Sequence, residues 1–208
     1  MRNLASLLIL LGATLVLAAC QTTSIQSAWF DPTYAGGPMK KIDVVGVGSN
    51  IADRRVFEDI FAQKLRAAGV EGVPGYTVIP DDARIAEAPF AAAVAKTGAQ
   101  GVLVVRLLGV DTKTQVTTTM MVGGVGWGPY GGGYGGMFGP PMYPVTQVQQ
   151  YDVANVETTL YDVKTSRVVW AGTTQTFNPN SVAQETPGFA DLIIGQLTAR
   201  GLIAGAKK

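Results

Sequence analysis

The order of apolar and polar positions changes character about halfway along the chain. Lys41 to Gly48 (Lys-Ile-Asp-Val-Val-Gly-Val-Gly) is a short β-branched run and reads as a buried strand. From Ile51 to Ala68 the apolar residues Phe57, Ile60, Phe61, Leu65 and Ala68 recur at helical spacing. Ser49 or Asn50 can cap this helix and Gly69 can stop it. Arg54 with Glu58, and Arg55 with Asp59, are opposite charges four apart and are expected on its solvent side. Tyr76-Thr77-Val78-Ile79 reads as a second strand, closed by Pro80. Ala83 to Thr97 is alanine-rich and helical by pattern, with Pro89 as a potential break and Gly98 as its end. Gly101 to Val110 is the strongest strand signal. Strand, helix, strand, helix, strand implies parallel neighbours joined by right-handed crossovers.

Beyond Val110 the period is two. Asp111 to Val122 is threonine-rich and continues the strand. Gly123 to Pro144 is built from Gly, Pro and aromatics, and Val145 to Asp162 alternates again. Lys164-Thr165-Ser166 suits a tight turn into a strand from Arg167 to Phe177. Asn178-Pro179-Asn180 breaks that strand, and Phe189 to Ile203 reads as a closing amphipathic helix. The expected fold class is α/β (α+β). Its mixed sheet combines a βαβαβ unit with long antiparallel strands, and a C-terminal helix covers it.

The first residues follow neither period. Arg2 precedes an apolar run from Leu7 to Ala18, too short to span a bilayer of roughly 30 Å as a stable helix and of the length of an export signal. The run ends in Leu17-Ala18-Ala19-Cys20, which resembles the lipobox of bacterial lipoprotein precursors. That resemblance implies cleavage before Cys20, diacylglycerol on its thiol, and further acylation at the new amino terminus. Gln21, where an Asp would imply retention in the inner membrane, favours the outer membrane. Residues 1–19 are thus expected to be a signal peptide, residues 20–38 (rich in Ser, Thr, Gly and Pro) a tether, and residues 39–208 one periplasmic domain. Trp29 and Phe30 in the tether are expected to dock on that domain or, as the second choice, to lie in the membrane interface.

Composition narrows the chemistry. There is no histidine, so the usual Ser-His-Asp and Cys-His arrangements and the commonest metal ligand are absent. Cys20 is the single cysteine and cannot form an internal disulfide. Removing residues 1–19 removes only Arg2, leaving 15 basic against 15 acidic side chains. Nucleic-acid binding therefore has no electrostatic footing. Asp81-Asp82 is the best acidic pair for acid–base work, but its place after Pro80 suits a helix cap. Gly46-Val47-Gly48 follows a strand as in a dinucleotide fingerprint, yet position 51 is Ile and the motif is incomplete. The expectation is a protein without catalytic, cofactor or metal residues.

One anomaly stands out. No Asp, Glu, Lys or Arg occurs among the 38 residues from Thr114 to Tyr151, in a chain with 15% charged residues. The segment holds Trp127, Tyr130, Tyr134, Phe138 and Tyr143. Three readings fit: a flexible hairpin tip, an aromatic partner-binding surface, and a membrane-inserting hairpin. For the last, Val116, Met120 and Val122 share a face, interrupted by Thr118. A lone hairpin would leave open edges in lipid, so several chains would have to close a barrel.

The order of elements resembles the periplasmic domain group that includes the TolB amino-terminal domain, CsgG and LpoB. The matching stretches are Val44-Val45-Gly46-Val47, Gly98 to Val104, and Thr159 to Trp170. The resemblance implies an α/β envelope domain that binds other proteins, and it carries over no functional residue. The expected function is a lipid-anchored, non-catalytic interaction or assembly module with an envelope protein partner. The alternative is an oligomeric outer-membrane secretion or pore component that uses residues 114–151. A peptidoglycan hydrolase acting through Asp81 and Asp82 is the third reading.

Overall fold

The computed structural model describes residues 23–79, 88–122 and 142–205. Cys20, Asp81, Asp82, Trp127, Tyr130, Tyr134 and Phe138 lie outside them. The strands are β1 (Thr23–Phe30), β2 (Lys41–Val47), β3 (Glu71–Pro74), β4 (Gly101–Val122), β5 (Met142–Asp162) and β6 (Arg167–Phe177). The helices are α1 (Ile51–Ala67), α2 (Ala88–Thr97) and α3 (Val182–Ala199), with a 3-10 turn at Gly75–Thr77. The six strands form one mixed sheet in the order β1-β6-β5-β4-β2-β3. β2 runs parallel to β3 and β4, and the remaining pairs are antiparallel. The expected α/β class, with its parallel half and antiparallel half, is the observed one.

Helices α1 and α3 cover one face of the sheet. Ile42, Val44, Leu103, Leu160 and Trp170 of the strands pack there with Phe61 and Leu65 of α1 and Ile193 and Leu197 of α3. Phe57, Phe61 and Phe189 meet at ring-centroid distances of 5.7 to 6.0 Å and lock the two helices together. Helix α2 covers part of the other face, where Phe90 and Val94 pack on Val45, Val102 and Val104. Asn50 caps α1 by accepting from the amides of Ala52 and Asp53. Gly69 and Gly98, both at positive φ, follow α1 and α2 as the sequence suggested.

Four expectations are corrected. The tether is not free after residue 22: Thr23–Phe30 pairs antiparallel with β6 as an edge strand. Its mostly exposed residues carry no regular apolar alternation, because an edge strand with little burial does not need one. Asp31 then holds the chain down through Arg167 (2.9 Å), and Met39 is buried. The second strand is Glu71–Pro74, not 76–79. Gly72 allows it to lie against α1, since a Cβ there would sit 2.5 Å from the Ala62 carbonyl oxygen.

The Arg54–Glu58 pair does not face solvent. Glu58 is 1% exposed and accepts from the Gly46 amide (2.9 Å) and the Tyr76 amide (2.7 Å), with Arg54 Nε 3.8 Å away. Burial pushes its carboxyl above the ordinary glutamate value. Helix α3 begins at Val182, not Phe189, and carries Pro187 inside it. Pro187-Gly188 looks like a breaker in sequence, but apolar burial from Phe189 to Leu197 holds the helix across it.

Candidate functional site

Strands β4 and β5 outrun the sheet. The last β6 rung is Phe177 opposite Val153, and the last β2 rung is Val47 opposite Arg106. Among the described residues, the two strands pair only with each other from Thr112↔Asp152 to Val122↔Met142, over eleven rungs. At a rise of about 3.3 Å per residue this ribbon projects roughly 33 Å. The uncharged stretch of the sequence begins two residues after Thr112 and ends at Tyr151, so the charge gap and the free ribbon coincide.

Register assigns the ribbon two faces. Val110, Val116 with Val148, and Met120 with Pro144 share one face, interspersed with Thr112, Thr114 and Thr118. Gln115 with Gln149, Thr117 with Gln147, and Met121 with Tyr143 share the other. Val116, Met120, Met121, Met142, Tyr143 and Val148 are each more than half exposed. Tyr143 is the one aromatic of the expected contact set that the structure describes. It stands opposite Met121 near the far end of the ribbon.

A polar collar fixes where the ribbon leaves. The Thr112 hydroxyl donates to Asp152 (2.7 Å), the Asp152 amide to the Asn178 side chain (3.1 Å), and the Asn178 amide to the Asp152 carbonyl (2.8 Å). Asn155 donates to Asp111 and accepts from Gln175, both at 2.9 Å. Tyr151 and Phe177 pack beside it at 6.0 Å. Individual sequence motifs do not announce this collar, because its members come from β4, β5, β6 and the loop after it.

Two further features share this end. Thr23 enters the sheet opposite Thr176, one residue before the end of β6, with hydroxyl oxygens 2.9 Å apart. The chain therefore joins the sheet at the end from which the ribbon leaves. A cleft of about 620 Å³ also opens there. Its floor is β4, β5 and Thr176. Its walls are the end of β2 with residues 48–50 and the first turns of α1, and the segment Pro179–Phe189. The cleft lining includes Leu107 and Val110, which the sequence places in a strand and which are 53% exposed. A bulge between Leu107 and Gly109 accompanies them. Gly46, near the end of β2, and Gly48, in the loop before α1, both line the cleft.

Two buried carboxyls lie away from this end or behind it. Asp43 is fully buried and accepts from Thr97 (2.8 Å), and burial raises its carboxyl above the ordinary aspartate value. Glu58 secures the Gly46 amide behind the cleft wall. Asp31 moves the other way: hydrogen bonds from Thr33, helped by Arg167, lower it. Among the described residues no helix is long and apolar enough to cross a membrane.

Fold and site together define a small mixed α/β domain whose sheet extends into an uncharged two-stranded ribbon. The chain belongs to the family described as a domain of unknown function, DUF4136, whose profile covers residues 90–199. That span holds most of α2, the whole of β4 to β6, and α3. No curated protein matches the chain. Among solved structures, it is similar to the PelC dodecamer from Paraburkholderia phytofirmans at 19% identity and a TM-score of 0.43, over 88% of this chain and 98% of that one. It is also similar to lipoprotein GNA1162 from Neisseria meningitidis at 14% identity and a TM-score of 0.37, over 76% of this chain and 98% of that one.

Proposed function

We propose that this protein is a lipid-anchored, non-catalytic module of the bacterial cell envelope, which presents its ribbon to an envelope partner. One observation carries the reading. The chain joins the sheet at Thr23, three residues after Cys20, at the same end from which the uncharged ribbon departs. A lipid on Cys20 would therefore hold the ribbon at the membrane side of the domain. Gln21 favours the outer membrane, facing the periplasm. The likeness to the TolB, CsgG and LpoB group, read from β2, from Gly98 to Val104 at the start of β4, and from the β5–β6 segment, belongs to this proposal, as does the absence of a reaction or bound cofactor.

The test is site-specific photo-cross-linking in cells. A photoreactive residue replacing Tyr143 is expected to capture an envelope protein. The same residue replacing Ser166, in the turn at the opposite end of the β5–β6 hairpin, is expected to capture none. Equal capture from both positions, or capture from neither, would overturn the reading.

A second reading keeps the oligomeric pore. The ribbon motivates it: both of its edges are unpaired among the described residues, it carries no charge beyond Lys113 and Asp152 at its base, and its eleven rungs match the roughly 9–11 residues of a membrane-spanning strand. Copies pooling their ribbons would close those edges. Native mass of the detergent-extracted protein decides it, and a monomer sinks it.

A further inference from the structure

We infer that the cleft at the ribbon end seats a fatty acyl chain, and that the chain it seats is the protein's own, borne on Cys20. This rests on the reading of Cys20 as lipidated.

The cleft walls are hydrocarbon where they matter. Val47, Phe57, Leu107, Val110, Val156 and Phe189 line it. Leu107 and Val110 remain 53% exposed, so apolar surface is left open inside a concavity that nothing in the described chain fills. About 620 Å³ lies within the roughly 300–1,000 Å³ range of small-ligand pockets. The polar groups at the rim are engaged with one another. The Asn50 amide donates to Asp53 (2.8 Å), and Asn180 donates to Glu185 from its backbone (3.1 Å) and its side chain (3.2 Å). A rim of paired amides and carboxylates around an apolar floor suits a hydrocarbon chain, and Asp53, Asp152 and Glu185 outnumber Arg54 among the charged groups of the lining, which disfavours an anion.

The entry point selects the occupant. The cleft floor runs across β4 and β5 to Thr176, and the Thr176 hydroxyl lies 2.9 Å from that of Thr23. Thr23 lies three positions after Cys20, a span of at most about 11 Å. An acyl chain on Cys20 thus starts within reach of the mouth of the cleft, whereas a membrane lipid would have to leave its bilayer. Seated there, one acyl chain is shielded from water whenever the protein is off the membrane.

The experiment uses the full-length protein. Cells are fed palmitate bearing a diazirine near its end. The protein is extracted in mild detergent and irradiated, and the adducts are mapped by peptide mass spectrometry, with isotope-mixed copies to separate cross-links within a chain from those between chains. The expected result is a cross-link within one chain, from the acylated amino-terminal peptide to the peptides holding Phe57, Leu107 to Val110, or Phe189. The variants Leu107→Glu and Val110→Glu alter exposed positions. They are expected to lose that cross-link while incorporating the label normally and keeping the wild-type circular dichroism. Labelled protein whose adducts fall only on detergent, lipid or other copies would overturn the inference. So would tagging of the cleft peptides in Cys20→Ala by a diazirine-bearing phospholipid, which would make the occupant a membrane lipid. Failure of the wild type to take up label overturns the Cys20 reading itself, and is recognised before irradiation.

Discussion

Glu58 offers the sharpest test of the packing behind the cleft. Its two carboxylate oxygens accept from the amides of Gly46 and Tyr76, joining the end of β2 to the turn after β3. Replacing it with Ala leaves both buried donors without this acceptor. At about 1–3 kcal/mol for each orphaned group, Glu58→Ala should cost about 2–6 kcal/mol, a large part of the roughly 5–15 kcal/mol that stabilises a domain of this kind. Glu58→Gln keeps one acceptor and turns an N–H₂ toward the other amide, so about 1–3 kcal/mol is expected. The pH dependence supplies a second readout. Burial raises the folded carboxyl above its unfolded value, so the folded state holds this proton more tightly. The corresponding stability is full below the unfolded value and is lost as pH rises through the folded one. Urea unfolding of residues 21–208, followed by the fluorescence of buried Trp170, measures both effects. The Glu58→Gln curve should be flatter than wild type from about pH 4 upward. If Glu58→Ala unfolds within about 1 kcal/mol of wild type, with parallel pH curves, the assigned bonds do not carry weight.

Three further outcomes are expected. Asp43→Asn should match or exceed wild-type stability near neutral pH and fall behind in acid. Asparagine can still accept from Thr97 but does not bury a charge, and the raised Asp43 carboxyl loses its contribution as pH rises; urea midpoints at several pH values check this. Gly72→Ala should cost about 1–3 kcal/mol by thermal denaturation, because its methyl would meet the Ala62 backbone at 2.5 Å, where no flexible side chain can give way. Val116→Glu, at a position 62% exposed, should leave unfolding within about 0.5 kcal/mol of wild type. It should nevertheless abolish the photo-cross-link from Tyr143, since it breaks the uncharged run of the ribbon.

Much of this molecule follows from local pattern. The βαβαβ order, helix α1 with its Asn50 cap, the strand from Arg167 to Phe177 and the uncharged segment are all legible in sequence, because each is set by a period of two or of 3.6 and by nearby capping or turn residues. The expectation of export and lipidation, too, rests on residues 1–20 alone. What tertiary structure decided depends on partners distant in sequence. Thr23–Phe30 is a strand only because β6 offers it an open edge. Glu–Gly–Val–Pro at 71–74 is a strand only because Gly72 lets α1 approach. Glu58 turns inward because two amides from other elements need an acceptor. The sequence locates the charge gap but not its direction. The pairing of Thr23 with Thr176, and of Val153 with Phe177, brings the chain entry, the cleft and the ribbon to one end of the sheet. No local signal encodes that placement, because it is made by hydrogen bonds between residues more than a hundred positions apart as well as by near ones.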